Sequence, residues 1–165
     1  MIRKATPDDV SRIAEILIFA KRMAYRNIFH NDAVSFNKMQ VVPLALDLQK
    51  DGALDNIVVY DDGIVKGMMN RKPASYDGEE NGLEICQFYI DPFFQRNGIG
   101  RSMLETLFQQ TQSSMIKNIF LWVLEKNDSA RIFYEQSGFV FDGTKRWEPG
   151  TTEYVLRYCK NMNSR

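Results

Sequence analysis

The sequence predicts a mixed α/β fold, on three observations. Leu83 to Asp91 is an apolar, strand-like run that gives way to a proline-marked turn and then to a loop, Gln95-Arg96-Asn97-Gly98-Ile99-Gly100. Beyond that loop, apolar residues at 99, 103, 104, 107 and 108 repeat at helical spacing. Ile119-Phe120-Leu121-Trp122-Val123-Leu124 is continuously apolar, as expected of a central strand covered on both faces. Together they form one β-α-β unit, preceded by hairpins, with strands outnumbering helices.

Along the chain, Met1 to Ala5 reads as a short strand. Thr6-Pro7-Asp8-Asp9 then starts a helix, with a Thr cap, Pro at the first helical position and an acidic residue three beyond the cap. Val10, Ile13, Ala14, Leu17 and Ala20 lay an apolar stripe along it. Lys21 to Asp55 reads as helical in pieces, with Pro43 opening a helix rather than interrupting one. Asn56–Tyr60 and Ile64–Asn70 form a hairpin around Asp61-Asp62-Gly63, because Asp-Gly is a strong turn signal. Ser75 to Asn81 reads as a polar loop before the strand at 83–91. Helices near 98–114 and 128–137 flank the 119–124 strand. Two final strands, roughly 139–146 and 152–159, are joined by Trp147-Glu148-Pro149-Gly150. No repeat, low-complexity stretch or linker divides the 165 residues, so one domain is expected.

Composition narrows the function classes. Hydrophobic residues make up 44% and charged residues 25%, and the formal net charge is zero. Those values suit a globular protein and give no general case for binding nucleic acid or an anionic membrane. Acidic residues outnumber basic ones nine to three between positions 51 and 94, a set of solvated loops or a field favouring cationic substrates. Cys86 and Cys159 sit in apolar runs and read as small core residues in a reducing compartment, not a disulfide framework. With His30 the single histidine, a zinc site is not expected. No run is long enough to cross a bilayer and no signal-peptide pattern opens the chain, so a cytoplasmic location is expected. A homodimer is left open.

The loop at 95–100 carries the chemistry. Backbone N–H groups at a helix N-terminus form an anion site, because unsatisfied donors and the positive end of the macrodipole point the same way. Gly98 and Gly100 let the backbone approach a phosphate with no Cβ in between. A dinucleotide fingerprint is excluded, since Met103 stands where the third glycine belongs and no acidic residue closes a ribose site. A P-loop is excluded because no Gly-Lys-Ser/Thr follows.

The segment resembles the coenzyme A pyrophosphate loop of GCN5-related N-acetyltransferases, Gln/Arg-x-x-Gly-x-Gly/Ala, at Gln95, Gly98 and Gly100. Asn127 to Phe139 is similar to that family's Asn-x-x-Ala-x-x-Phe-Tyr-x-x-x-Gly-Phe pattern, in the same order and at the same separation. The opening strand and helix at Ile2-Arg3-Lys4-Ala5 are family-like too, so the resemblance covers nearly the whole chain. It implies a central, mostly antiparallel sheet of about seven strands and about four flanking helices, with a parallel central pair that splays into a slot for the pantetheine arm.

The resemblance also implies roles. Backbone groups of Phe88, Tyr89 and Ile90 pair with pantetheine and the acetyl carbonyl, as an added strand would. Amides from Gln95 through Arg96, Asn97, Gly98, Ile99 and Gly100 to Arg101 wrap the pyrophosphate, with the Arg96 and Arg101 side chains adding charge at the rim. Asn127 caps a helix and bonds the pantetheine arm. Ala130, Phe133 and Tyr134 lie three and four apart and so share a helix face. Ala130 and Phe133 are expected to pack against cofactor and sheet, and the Tyr134 phenol to serve the departing thiolate. A free alkyl amine has a pKa near ~10, so a general base helps. Glu84 is the first candidate, with its side chain on the strand face of Cys86 and Phe88; His30 and Glu148 are alternatives. For the acceptor site, Tyr25, Phe29 and His30 are expected on one wall, with Trp147 and Glu148 on another. The leading expectation is acetyl transfer from acetyl-coenzyme A to a small-molecule amine, a peptide N-terminus or a protein lysine. The other class is a non-catalytic acyl-coenzyme A sensor of the same fold.

Overall fold

Hydrophobic period and turn chemistry build the observed elements in the expected order across residues 1–163, which the computed structural model describes. They are β1 (Ile2–Lys4), α1 (Val10–Phe29), α2 (Val41–Leu48), β2 (Ile57–Asp61), β3 (Val65–Tyr76), β4 (Glu79–Ile90), α3 (Ile99–Gln112), β5 (Asn118–Leu124), α4 (Asp128–Gln136), β6 (Val140–Trp147) and β7 (Tyr154–Asn161). The strands form one sheet in the order β1-β2-β3-β4-β5-β7-β6. The β4/β5 pair is parallel; the β1/β2, β2/β3, β5/β7 and β6/β7 pairs are antiparallel. The parallel ladder runs from Gly82↔Asn118 to Ile85↔Leu121, and both strands continue past it, β4 to Ile90 and β5 to Leu124. The mixed α/β class with a mostly antiparallel seven-stranded sheet is thus the one observed.

Two expected boundaries move. The polar loop at 75–81 is instead a two-residue hairpin turn between β3 and β4. Asp77 and Gly78 both have positive φ, 50° and 84°, the backbone that the tightest hairpin turn requires. Strand β3 accordingly runs through Arg71-Lys72-Pro73 to Tyr76, where the sequence pattern stops at Asn70. Pro43 falls in the first turn of α2, as expected, where its missing N–H costs no helix bond. A single π-helical turn at Ala33–Asn37 separates α1 from α2.

The chain packs as two compact units: Met1–Asn70 with Gln87–Met103, and Arg71–Cys86 with the described residues from Leu104 on. In the first, Ile13, Ile16, Leu17 and Ile18 of α1 pack with Ile57 and Val59 of β2 and with Val65 and Met68 of β3. The stripe expected on α1, Val10 to Ala20, is buried throughout. In the second, Leu104, Leu107, Ile119, Leu121, Leu156 and Tyr158 are buried, and the Phe108, Phe139 and Tyr134 rings pack in sequence.

An ion cluster fixes the start of the first unit. The Arg3 guanidinium donates to both oxygens of Asp9 (2.7 and 2.9 Å) and to Asp61 (2.7 Å), while the Thr6 N–H donates to Asp9 at 2.8 Å. Arg3 is the largest cause that holds the Asp9 carboxyl down at about 2. A folded-state value below the ordinary one stabilises above about pH 4 and is lost as the pH falls toward 2. Asp9→Asn is therefore expected to lower the melting temperature at pH 7, with parent and variant melts converging near pH 2. A gap independent of pH would remove the pair as the source.

Candidate active site

In the first unit the site begins where β4 ends. Asp91 is 3% exposed and organises the turn that follows. Its Oδ1 accepts the Phe93 N–H at 2.8 Å, its carbonyl accepts the Phe94 N–H at 2.8 Å, and its own N–H donates to the Lys66 carbonyl at 2.8 Å. Its Oδ2 is held by the Arg12 guanidinium of α1, which also donates to the Val65 carbonyl at 2.9 Å. Gln95 Nε2 then reaches back to the Ile90 carbonyl at 3.1 Å. Gln95, Arg96, Asn97 and Gly98 are exposed, and Ile99 is buried as the first residue of α3. Arg96 (φ 64°) and Gly98 (φ 78°) are left-handed, which turns the backbone sharply into the helix.

That loop fits a phosphate-bearing cofactor. An added Cβ at Gly98 would meet no protein atom within 4 Å, so the space in front of the backbone is open. The Gly98 carbonyl accepts the Ser102 N–H at 3.0 Å, the first helical bond of α3, and Gly100 and Arg101 lie in its first turn. Such a turn directs amides outward at the positive end of the helix dipole.

Phe88, Tyr89 and Ile90 are all half-buried on β4. The Ile90 side chain lies over Gly67, where a Cβ would come within 2.6 Å of it. Of the expected acceptor residues, Tyr25 and Phe29 meet edge to face at 5.4 Å, and the Tyr25 and Tyr89 hydroxyls lie 3.2 Å apart. An acceptor candidate and a cofactor-strand candidate are thus hydrogen-bonded, a link invisible at a separation of 64 residues. His30 is exposed and ends α1 in a left-handed conformation, its N–H donating to Arg26 at 3.2 Å.

In the second unit, Asn127 caps α4 as expected, its side-chain oxygen accepting the Ala130 N–H at 3.2 Å. Ala130 and Phe133 are half-buried and Tyr134 is buried. The Tyr134 ring sits 5.3 Å from Phe133 and 5.7 Å from Phe139, both edge to face. A grip that the sequence conceals locks α4 to β7: the fully buried Tyr158 hydroxyl donates to Glu135 at 2.7 Å and accepts from Arg131 Nε at 3.1 Å. Arg131 and Glu135 are one turn apart, so the phenol fixes the rotation of the helix that carries Tyr134.

Glu84 on β4 has its carboxylate 20% exposed and 3.7 Å from the Lys72 ammonium. Cys86, two residues along the strand, is exposed, which corrects the expectation of a core cysteine. Period two places it on the Glu84 face. Burial of part of the side chain is the main cause that raises its thiol above the usual range. Trp147 closes β6 stacked on Tyr154 at 3.8 Å, with Lys145 over the Tyr154 ring. The Glu148 N–H donates to Glu153 at 2.8 Å in the following turn. Of the nine acidic residues at 51–94, Asp61, Asp62, Asp77, Glu84 and Asp91 each carry a basic partner.

Among the described residues no helix is long and apolar enough to cross a membrane. A family model described as "Acetyltransferase (GNAT) family" matches residues 22–139. The Bacillus subtilis (strain 168) protein named "Uncharacterized N-acetyltransferase YuaI" is 31% identical over 141 residues, 81% of this chain and 76% of that protein. The Mycobacterium tuberculosis "Probable N-acetyltransferase Rv2775" is 28% identical over 152 residues, 90% of this chain and 84% of its own length. The fold is also that of a solved N-acetyltransferase, PaiA from Thermoplasma acidophilum in complex with coenzyme A, with TM-score 0.70, 18% identity, and 95% and 96% of the two chains covered. The glycine loop into α3, the capped α4 motif and these likenesses agree, and the chain belongs to the GNAT family of acetyltransferases.

Proposed function

We propose that this chain transfers the acetyl group of acetyl-coenzyme A to a primary amine by direct attack while both are bound. The observation that carries the reading is the Gln95–Gly100 loop, exposed and left-handed at Arg96 and Gly98, with open space in front of Gly98. Backbone amides from Gln95 to Arg101 hold the pyrophosphate, and the β4 backbone at Phe88, Tyr89 and Ile90 holds the pantetheine arm and the acetyl carbonyl. Asn127, Ala130 and Phe133 complete the cofactor contacts. The bound thioester supplies the acetyl group and a thiol leaving group. Glu84 accepts the proton that the attacking amine loses, and Tyr134 donates its phenolic proton to the departing sulfur as the new C–N bond replaces C–S. Tyr25, Phe29, His30, Trp147 and Glu148 select the acceptor, a small-molecule amine, a peptide N-terminus or a protein lysine.

A thiol-release assay with acetyl-coenzyme A across a panel of small amines, peptide N-termini and lysine peptides tests the reading. Amine-dependent release supports it. Coenzyme A binding with no release for any amine would favour a sensor of the same fold.

The Lys72 pairing makes Glu84 a specific target. Glu84→Gln is expected to depress the rate most near neutral pH and least at high pH, where the amine loses its proton unaided. A pH–rate profile that superimposes on the parent's would reduce Glu84 to a structural partner of Lys72.

A further inference from the structure

We propose that Arg12 and Asp91 are positioning residues for the cofactor loop, acting on coenzyme A affinity through the backbone and not by touching the ligand. The proposal rests on reading that loop as the pyrophosphate site. Asp91 is the last residue before the turn and is 4% exposed at its side chain, so its charge has lost nearly all of its water. One oxygen fixes the turn through the Phe93 N–H at 2.8 Å, and the other is held by Arg12. Arg12 is itself anchored, by Nε to the Val65 carbonyl at 2.9 Å and by Nη1 to Glu15 at 3.1 Å. A chain of directional bonds therefore runs from α1 and the start of β3, through one carboxylate, to the backbone N–H of Phe93, two residues before Gln95. Gln95 adds a second tether to β4 at the Ile90 carbonyl. A site built from main-chain amides has no side chain to readjust when its loop shifts, and a misplacement of about 1 Å costs such geometry dearly.

A buried ion pair also gives a way to separate positioning from stability. Removing one partner strands a charge, whereas removing both leaves none. Arg12→Met should lower both melting temperature and coenzyme A affinity, because Asp91 is left buried and unpaired. Asp91→Asn keeps an acceptor for the Phe93 N–H but sets an amide beside the guanidinium, and should also weaken binding. The combined Arg12→Met/Asp91→Asn chain should regain part of the melting temperature lost in Arg12→Met. Its affinity for coenzyme A, measured by titration calorimetry, should stay about tenfold or more below the parent's. Affinity that recovers in step with stability, or that never fell in a folded variant, would overturn the positioning role. A parent chain that binds no coenzyme A would instead overturn the loop reading itself, a separate result visible in the same titrations.

Discussion

A Gly98→Val chain is expected to fold and yet to lose coenzyme A affinity by about 100-fold or more, the scale of a reacting or binding geometry displaced by about 1 Å. The fold tolerates the change because the new Cβ meets no protein atom within 4 Å. Its local cost is the left-handed backbone at φ 78°, roughly 1–2 kcal/mol for a residue with a Cβ. The ligand does not tolerate it, because the open volume in front of Gly98 is where a phosphate oxygen must approach the amides. Gly100→Val, in the first turn of α3, should act in the same direction. Thermal melting establishes that each variant is folded, and titration with coenzyme A reads the loss. Parent-like affinity in either folded variant would remove the pyrophosphate assignment while leaving family membership intact.

Tyr134→Phe is expected to lower the turnover number by about 10- to 1000-fold, spanning one acid–base group and weaker hydrogen-bonding help. The ring contacts with Phe133 and Phe139, at 5.3 and 5.7 Å, need no hydroxyl, so the variant keeps its packing and its melting temperature. Coenzyme A affinity should change little, which separates this variant from those in the loop. Burial of Tyr134 sharpens the test, since a core phenol with a structural role would reverse the pattern. Large destabilisation with near-parent turnover would make Tyr134 a packing residue.

The two variants probe motifs that were legible for different reasons. Gly98 was readable because its requirement is local: a left-handed backbone residue at a helix entry asks for glycine whatever the rest of the chain does. Asn127 was readable likewise, since a cap needs only the amide three residues on. Asp77-Gly78 carried an equally local signal, but polar neighbours hid it. The strands on either side lack the apolar alternation that marked the first hairpin, so β3 and β4 ran longer than the pattern suggested.

Period and turn chemistry determined the order of strands and helices, the buried face of α1, the central strand β5 and the entry into α3. Each depends on residues a few positions apart. Tertiary structure alone decided that Cys86 is exposed, that Lys72 stands beside Glu84, that Tyr25 meets Tyr89, and that Arg12 holds Asp91 across 79 residues of sequence. The reason is physical. Helical and strand periods fix which way a side chain points on its own element. Which charge or hydroxyl it meets there depends on the pairing of elements, and that pairing is set by the whole core rather than by any local run of residues.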